Sequence, residues 1–527
     1  MKTYATLLER LVLSPQRTAK LRLIEDYLRA APDPDRGWAV AALTGGVSFP
    51  AVKPAMLRAL VAERVDEVLF ALSYDYVGDL AETISLIWEG RGGNEVPSLS
   101  DVVATLSNAS RSDAPARVAA LLDAMGPSER YALLKLATGG MRVGVSARLA
   151  KQALAGFGSV DVTEIEELWH GLTPPFEDLF AWLEGRGDKP VHAQRSPFRP
   201  VMLATALEER DLEGLNPSDY LAEWKWDGIR VQATAEAGTR RLYSRTGDDI
   251  GQAFPDLLEA MTFEGSLDGE LLVMRDGEIG TFGDLQQRLG RKTVSPKTRA
   301  AYPAYLRAYD LLQDGSTDLR RLPFEERRAR LEIFAGDLDP ARFDVSPTVP
   351  FDTWEEIATH RAAPPHPVIE GVMLKRRDSL YVPGRPKGPW FKWKRDPYLV
   401  DAVLMYAQRG HGKRSSYYSD YTFGVWTEED ELVPVGKAYF GFTDEELRHL
   451  DKFVRDHTVD RYGPVRAVRA GADFGLVLEI AFEGLNRSSR HKSGIAMRFP
   501  RISRLRWDKP AAEADRIETL EAMLPPR

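Results

Sequence analysis

The hydrophobic pattern changes character twice along the chain. Over residues 1–195 apolar positions recur at helical spacing. In "TAKLRLIEDYLRAA", Leu21, Leu23, Ile24 and Leu28 fall near a 3.6-residue period, with acids and bases opposite them. "YALLKLATGG" runs into paired glycines, a helix stop, and "SARLAKQALAGFG" opens on a serine cap and closes on glycine. Alternation at period two is scarce here, so the pattern predicts an all-α domain over 1–195. A stretch rich in proline and base, "KPVHAQRSPFRPVML", reads as a linker at about 186–202.

From Asp219 the texture becomes that of strands. "YLAEWKWDGIRVQATAEAG" alternates and turns at Gly238 into "TRRLYSR", and "GSLDGELLVMRDGEIG" predicts a strand pair about an Asp-Gly turn. "AYLRAYDLL", "IEGVMLKRR" and "PWFKWKR" add strands, with a helical "PFEERRARLEIF" among them. This predicts an α+β domain over 196–396. After Asp396-Pro397 the strands "YLVDAVLMYAQ", "SYYSDYTFGVW", "ELVPVGKAYFG", "FGLVLEIAFEG" and "GIAMRFPRISRLRW" surround one helix, "DEELRHLDKFVRD". That inventory suits a small all-β barrel of the oligonucleotide-binding (OB) type over 397–527.

Composition agrees with a multidomain globular chain. At 527 residues it exceeds what one core organises, with 43% hydrophobic and 28% charged residues. There is no cysteine, which excludes disulfides, thiolate zinc sites and cysteine nucleophiles and suits a reducing cytosol. The first helix-like stretch is broken by Glu9 and Arg10 and reads as amphipathic, not as a signal peptide, and no apolar run approaches the roughly 18 residues a membrane span needs. A net charge of −8 does not by itself point to nucleic acid. Local patches do: residues 375–395 and 487–509 each hold eight Lys/Arg against one acid.

Candidate chemistry starts at "AEWKWDGIR", where Lys225 sits between Trp224 and Trp226, two rings expected to pack into the wall of the site. Lys-x-Asp-Gly alone is short enough to arise by chance, and taken alone a solvated strand lysine explains it better than a nucleophile does. Five further segments change the balance. Arg245 lies at a strand-to-turn junction; Asp268 and Glu270 sit two apart on a strand; Tyr309 offers an aromatic face; Glu370 and Lys375 follow; Lys392 and Lys394 are again two apart, so both ammonium groups share a face. Each has a bland reading as turn, core or solvated face, but together, in one domain, they suit a site for a nucleoside triphosphate.

In this order the segments resemble the covalent nucleotidyltransferase superfamily, and within it the ATP-dependent DNA ligases, across essentially the whole chain. Lys225–Arg230 is similar to motif I, Ser244-Arg245 to Ia, Asp268-Gly-Glu270 to III, Tyr309-Asp-Leu-Leu to IIIa, Glu370–Lys375 to IV, Phe391–Lys394 to V, and Arg498–Lys509 to VI. "GHGKRSSYYSDYTFGV" resembles the start of the ligase barrel, and "GGMRVGVSARLAKQALA" part of the helical DNA-binding domain of larger ligases. Tyr309 departs from the Phe usual in motif IIIa, a change that keeps a stacking face.

The resemblance implies a bacterial three-domain enzyme: an all-α DNA-binding domain, an α+β nucleotidyltransferase domain (adenylation, ATP-grasp-like) and an all-β OB-fold barrel. It implies nick sealing in duplex DNA through a lysyl-AMP on Lys225, with ATP as AMP donor and Mg²⁺, or Mn²⁺ in its place, as cofactor. Glu223 is expected to accept from the adenine amino group and Tyr309 to stack on the base. Glu370, with Glu270, is the candidate metal set, although the family favours ribose hydroxyls for Glu270. Arg230 and Arg245 are expected on the nick phosphate, Lys392 and Lys394 on ATP phosphates, and Arg385 on an ATP or nick phosphate. By family position Arg506, Asp508 and Lys509 orient pyrophosphate, through a barrel that closes over ATP and then swings away.

Arg142, Arg148 and Lys151 are expected to contact DNA phosphates. A monomer without a membrane, in the bacterial cytosol and on the nucleoid when DNA-bound, with protein partners unspecified, completes the expectation. The rival readings are an RNA ligase or capping-type nucleotidyltransferase, and a catalytically inactive DNA-binding protein. Absence of cysteine disfavours the NAD-dependent ligases, which carry a cysteine zinc module.

Overall fold

The structure, a computed structural model, describes the chain apart from Gly78, 91–94, 191–195, Lys292, 410–417, 440–442, 489–490 and 525–527. Part of the expected linker and the beginning of the barrel motif "GHGKRSSYYSDYTFGV" therefore lie outside the described residues. The chain divides into two compact units, Leu154–Asp396 and Met1–Ala153 with Pro397–Arg527.

Leu154–Asp396 is built on two sheets. The first joins β1 (Thr205–Ala206), β2 (Tyr220–Trp226), β10 (Thr348–Val349), β11 (Ile369–Arg376) and β12 (Trp390–Lys394) in the order β1-β12-β11-β2-β10. The second orders β3 (Ile229–Glu236), β4 (Thr239–Ser244), β5 (Gly265–Arg275), β7 (Ala304–Asp314) and β8 (Thr317–Asp318) as β4-β3-β5-β7-β8; β6 (Glu278–Ile279) pairs β5 and β9 (Phe343–Val345) pairs β7. The chain passes from the first sheet to the second at Asp227-Gly228, between β2 and β3.

Both hairpins expected in the second sheet form. Their turns place Ala237-Gly238 and Asp276-Gly277 at positive φ, the backbone that lets a two-residue turn follow the strand twist. Asp268-Gly269-Glu270 lies within β5 and is not a turn. Each sheet has one apolar face. Behind the first are Ala222, Val372, Leu374, Phe391 and Trp393; behind the second are Val231, Ala233, Leu267, Leu271 and Leu306. The other two faces carry the polar side chains taken up below.

In the other unit, the described residues before Ala153 form helices and turns with no strand. Helix Lys2–Leu13 buries Tyr4, Leu7, Leu8 and Leu11 on one side, and Leu99–Ser107 starts on a capping box formed by Ser98 and Asp101. The C-terminal part holds β13 (Tyr398–Arg409), β14 (Tyr418–Trp426), β15 (Leu432–Tyr439), β16 (Thr458–Tyr462), β17 (Val465–Val468), β18 (Val477–Phe482), β19 (Gly484–Arg487), β20 (Ile495–Arg498) and β21 (Arg501–Arg506). The run β14-β15-β21-β18-β13 closes on itself because β13 also pairs with β14. Closure removes the free sheet edge and encloses a core of Val400, Tyr421, Phe423, Leu478, Ile480 and Phe482. Helix Asp444–Asp456, capped by Thr443 and Glu446, lies between β15 and β16 in the chain.

Candidate active site

Strand register assembles the site. In the first sheet Lys225 of β2 is opposite Gly371 of β11, which is opposite Lys394 of β12; two residues along, Glu223, Met373 and Lys392 form the next row. Alternation sends these residues to one face and Trp224, Val372 and Trp393 to the apolar face. Gly371 leaves the middle of the first row without a side chain. A Cβ there would lie 2.3 Å from the Trp393 carbonyl, and its φ of +146° is one L-residues rarely adopt.

Glu370 reaches this face through a bulge. Trp226 and Lys225 are consecutive, but their partners are Ile369 and Gly371, so Glu370 is an extra residue in β11. The bulge turns its carboxylate to the side occupied by Lys225. Lys225 Nζ donates to Glu370 Oε2 at 2.5 Å, and Lys394 Nζ lies 3.6 Å from the same oxygen. Burial alone would raise the Glu370 pKa, but Lys225 and Lys394 outweigh it and the net direction is down. Lys225 keeps 22% of its side chain exposed, enough to be reached.

The second sheet supplies the facing groups. Arg230 and Glu270 are directly paired across β3 and β5, with Asp268 diagonal to Arg230. Tyr309 is also a bulge residue: Asp268 pairs Asp310 while Gly269 pairs Ala308, leaving Tyr309 between. Two of the six candidate segments thus present their key side chain through an irregularity that strand alternation does not foresee. The facing sheets touch where the Lys375 ammonium donates to the Tyr309 carbonyl at 3.3 Å and lies 4.5 Å from its ring centre.

Glu270 accepts from the backbone N–H of Gly228 at 3.2 Å. Gly228 is obligatory there, because a Cβ would meet the Leu271 carbonyl at 2.4 Å. Burial pushes the Glu270 carboxyl up to about 7; Lys225 and Arg230 pull it back, and Glu370 adds to the rise. A carboxyl whose folded-state pKa is raised binds its proton more tightly when folded, so stability is full below its unfolded value and falls as pH climbs toward 7. Glu270→Gln cannot ionise. Its unfolding free energy in urea, relative to the parent, is expected to gain about 2–3 kcal/mol between pH 5 and pH 8. Parallel pH profiles for the two proteins would exclude this.

The remaining cations gather around Lys392. Its ammonium is pulled below its ordinary value by burial and then by Arg385, Lys394, Lys225 and Arg245, so five positive groups share one field. Arg245 and Arg385 are exposed and Lys392 half-buried.

Several expectations change on contact with the structure. Arg230 does not hold out a free fork for phosphate. Nε and Nη2 donate to Asp268 at 3.0 and 2.7 Å, Nη1 to the Met202 carbonyl at 2.7 Å, and Nη2 to the Tyr381 hydroxyl at 3.2 Å. Asp268 is fully buried and needs this partner, since an isolated buried carboxylate is costly. Trp224 and Trp226, expected in the wall of the site, do other work. Trp224 packs behind the sheet, edge-on to His360, and Trp226 packs with Leu272 and Ile369 under the Arg307 guanidinium.

Glu223 is 2% exposed and already bound by two cations, Arg328 at 2.7 Å and Lys375 at 2.8 Å. Lys151, expected on a phosphate-facing surface, is buried at 9%, whereas Arg142 is exposed and Arg148 half-buried. Lys151 lies on the inward side of helix Ala147–Gly158, among Leu149, Ala150, Ala153 and Leu154.

Arg506, Asp508 and Lys509 lie in the other unit and form a cluster of their own. Asp401 Oδ2 accepts from Arg506 Nη1 at 3.2 Å and from Lys509 Nζ at 2.8 Å, and Arg506 also pairs with Asp508 at 2.9 Å. Sequence reasoning missed Asp401, Arg328, Tyr381 and the Arg327–Asp310 pair, whose two side chains are fully buried. Their partners lie too far along the chain for any local pattern to reveal them, Arg328 being 105 residues from Glu223. Among the described residues no group of three or more His, Asp or Glu is placed to hold a metal by itself.

Comparison with known proteins gives the family. Residues 201–394 match the family model described as ATP dependent DNA ligase domain, and residues 414–509 that described as ATP dependent DNA ligase C terminal region. The chain is 31% identical to a "Probable DNA ligase" of Koribacter versatilis (strain Ellin345), over 99% of this chain and 96% of that protein. It is 30% identical to "DNA ligase 1" of Korarchaeum cryptofilum (strain OPF8), over 98% of this chain and 97% of that one. The solved structure "Pmar-Lig_Pre" shares the fold with a TM-score of 0.62, at 14% identity, over 96% of this chain and 99% of that one. The chain belongs to the ATP-dependent DNA ligase family.

Proposed function

We propose that the enzyme seals nicks in duplex DNA in three phosphoryl transfers, with Lys225 carrying the AMP. The observation that supports this most is the Lys225–Glu370 pair, with Lys394 on the same carboxylate and Lys392 beside it. In the first step the Lys225 amine attacks the α-phosphorus of ATP; an N–P bond forms, the P–O bond to pyrophosphate breaks, and the lysine proton is lost. An ordinary lysine must give up about 4 kcal/mol to be neutral at pH 7.5. Glu370 holds Lys225 Nζ in place through the hydrogen bond at 2.5 Å. Lys392 and Lys394 stand beside it as cations that attract the phosphates.

The donor set fits a hard divalent ion in one specific way. Glu270 and Glu370 lie close enough for one to hinder ionisation of the other, and Mg²⁺ is commonly held by one or two carboxylates together with substrate phosphates. Mg²⁺, or Mn²⁺ in its place, would neutralise phosphate charge there. Glu223 would accept from the adenine amino group, Tyr309 stack on the base, and Glu270 meet the ribose hydroxyls. Arg245 and Arg385, exposed at the rim, are the better candidates for nick and ATP phosphates, with Arg230 holding the frame beneath them.

Beyond the site, we read residues 1–195 as a DNA-binding domain using Arg142 and Arg148, residues 196–396 as the nucleotidyltransferase domain, and residues 397–527 as an OB-type barrel. The order β13-β14-β15-β21-β18 around the closed run supports the last reading. The enzyme is proposed to act as a cytosolic monomer on nicked DNA.

Arg506, Asp508 and Lys509 are proposed to serve the first step alone. Lys509→Ala should slow self-labelling by α-labelled ATP at least about tenfold. Protein already carrying AMP should seal a DNA nick at the parent rate. Equal loss in both assays would remove the step-one assignment, and closure of nicked RNA in preference to nicked DNA would overturn the substrate.

A further inference from the structure

Lys375 is buried to 1% exposure in a cage of rings, its ammonium 4.5 Å from the centre of Tyr309, 4.6 Å from Trp390 and 4.9 Å from Phe324. Such a cage attracts a cation but does not replace its hydration. Burial pulls its pKa down, and the carboxylate of Glu223 is the chief charge opposing that fall. Glu223 is equally dependent. It is 2% exposed, with Oε2 on Lys375 and Oε1 on Arg328 Nη1. Arg328 is fixed in turn by the Ser346 carbonyl and Glu332. One ammonium therefore backs both groups read above as base contacts, the Tyr309 ring and the Glu223 carboxylate.

The chemistry of the two purines makes the charge state of that carboxylate decisive. Adenine presents an amino donor where guanine presents a carbonyl acceptor. An ionised carboxylate only accepts, so it satisfies adenine and repels the guanine oxygen; a protonated carboxyl can donate to that oxygen. A carboxylate this buried, deprived of a cation, moves toward the protonated form. We infer that Lys375 is a specificity-determining residue, keeping Glu223 ionised and fixed so that the site takes an adenine and refuses a guanine nucleotide. The inference rests on the proposal that Glu223 reads the base.

Other charges near Glu223 are already committed or set further back. β10 places only Thr348 opposite it. Lys392 stands in its row on β12 beyond Met373. Asp310 is held by Arg327 and Asp268 by Arg230. Lys375 and Arg328 are thus the two groups whose removal should change its protonation.

The test is the ratio of self-labelling rates with α-labelled ATP and α-labelled GTP, measured from pH 6 to pH 8.5. Lys375→Met keeps the length and apolar stem of the caged side chain. It is expected to lower the ATP/GTP ratio at least tenfold at pH 6 and to regain most of it by pH 8.5, while the parent ratio stays flat. Arg328→Met should shift in the same direction by less, and serves if the first variant does not fold. Glu223→Gln, which can either accept or donate, should lose discrimination at every pH.

An unchanged ratio in Glu223→Gln removes the base-reading role and this inference with it. If Glu223→Gln loses discrimination but Lys375→Met matches the parent, the role of Lys375 alone is overturned. A Lys375→Met ratio lowered equally at all pH values also overturns it, because position and not ionisation would then be at stake.

Discussion

Lys225→Ala incubated with α-labelled ATP and a divalent ion is expected to retain no label after denaturation, a loss of at least about 10⁴-fold, because the atom that bonds to phosphorus is gone. Lys392 and Lys394 are close by but do not substitute. Register places each of them on β12, with β11 between it and β2, and Lys392 sits among other cations. The variant should fold. Glu370 keeps Lys394 at 3.6 Å, and loss of a partly exposed ion pair costs about 1 kcal/mol or less. Supplied with a nick whose 5′-phosphate already carries AMP, it should still join the strands, since that step needs no lysine nucleophile. Failure on this substrate, in a protein that melts like the parent, would mean that Lys225 does more than carry AMP.

Glu370→Gln should give the second large effect. It removes a carboxylate 2.5 Å from Lys225 Nζ, the oxygen donor proposed to organise phosphates and divalent ion. The labelling rate should drop about 10²–10³-fold, the scale seen when one preorganised electrostatic contact is lost. Added Mn²⁺ should recover part of that rate. A rate equal to the parent's or above it would show that Glu370 only restrains the lysine.

Much of the site was legible in the chain because it is written in local strand patterns. Lys225 with Glu223, Asp268 with Glu270, and Lys392 with Lys394 are each two apart, and period-two alternation alone puts each pair on one face. The positive turns at Ala237-Gly238 and Asp276-Gly277 and the helix Phe324–Ala335 follow from equally local signals. Where sequence reasoning failed, the deciding partner was distant. Arg230 has the look of a phosphate fork until Asp268 is found beneath it. Trp224 resembles a wall residue until the apolar cluster behind the sheet is seen. Lys151 shares its helix with the more exposed Arg148 and faces inward all the same.

The sequence by itself determined which side chains could do the chemistry, their order, and the strand faces they share, because those depend on composition and a two-residue period. Tertiary structure decided which of them meet and in what charge state. The bulges at Glu370 and Tyr309 are set by register against β2 and β5, and nothing local in "IEGVMLK" or "LRAYDLL" announces an extra residue. Only the bulge brings Glu370 to Lys225, and only the cage of three rings shows that Lys375 backs Glu223. Burial then sets the energies. Desolvation holds the Glu270 carboxyl near 7 and makes the cations on Glu223 indispensable, and it depends on elements far apart in the chain.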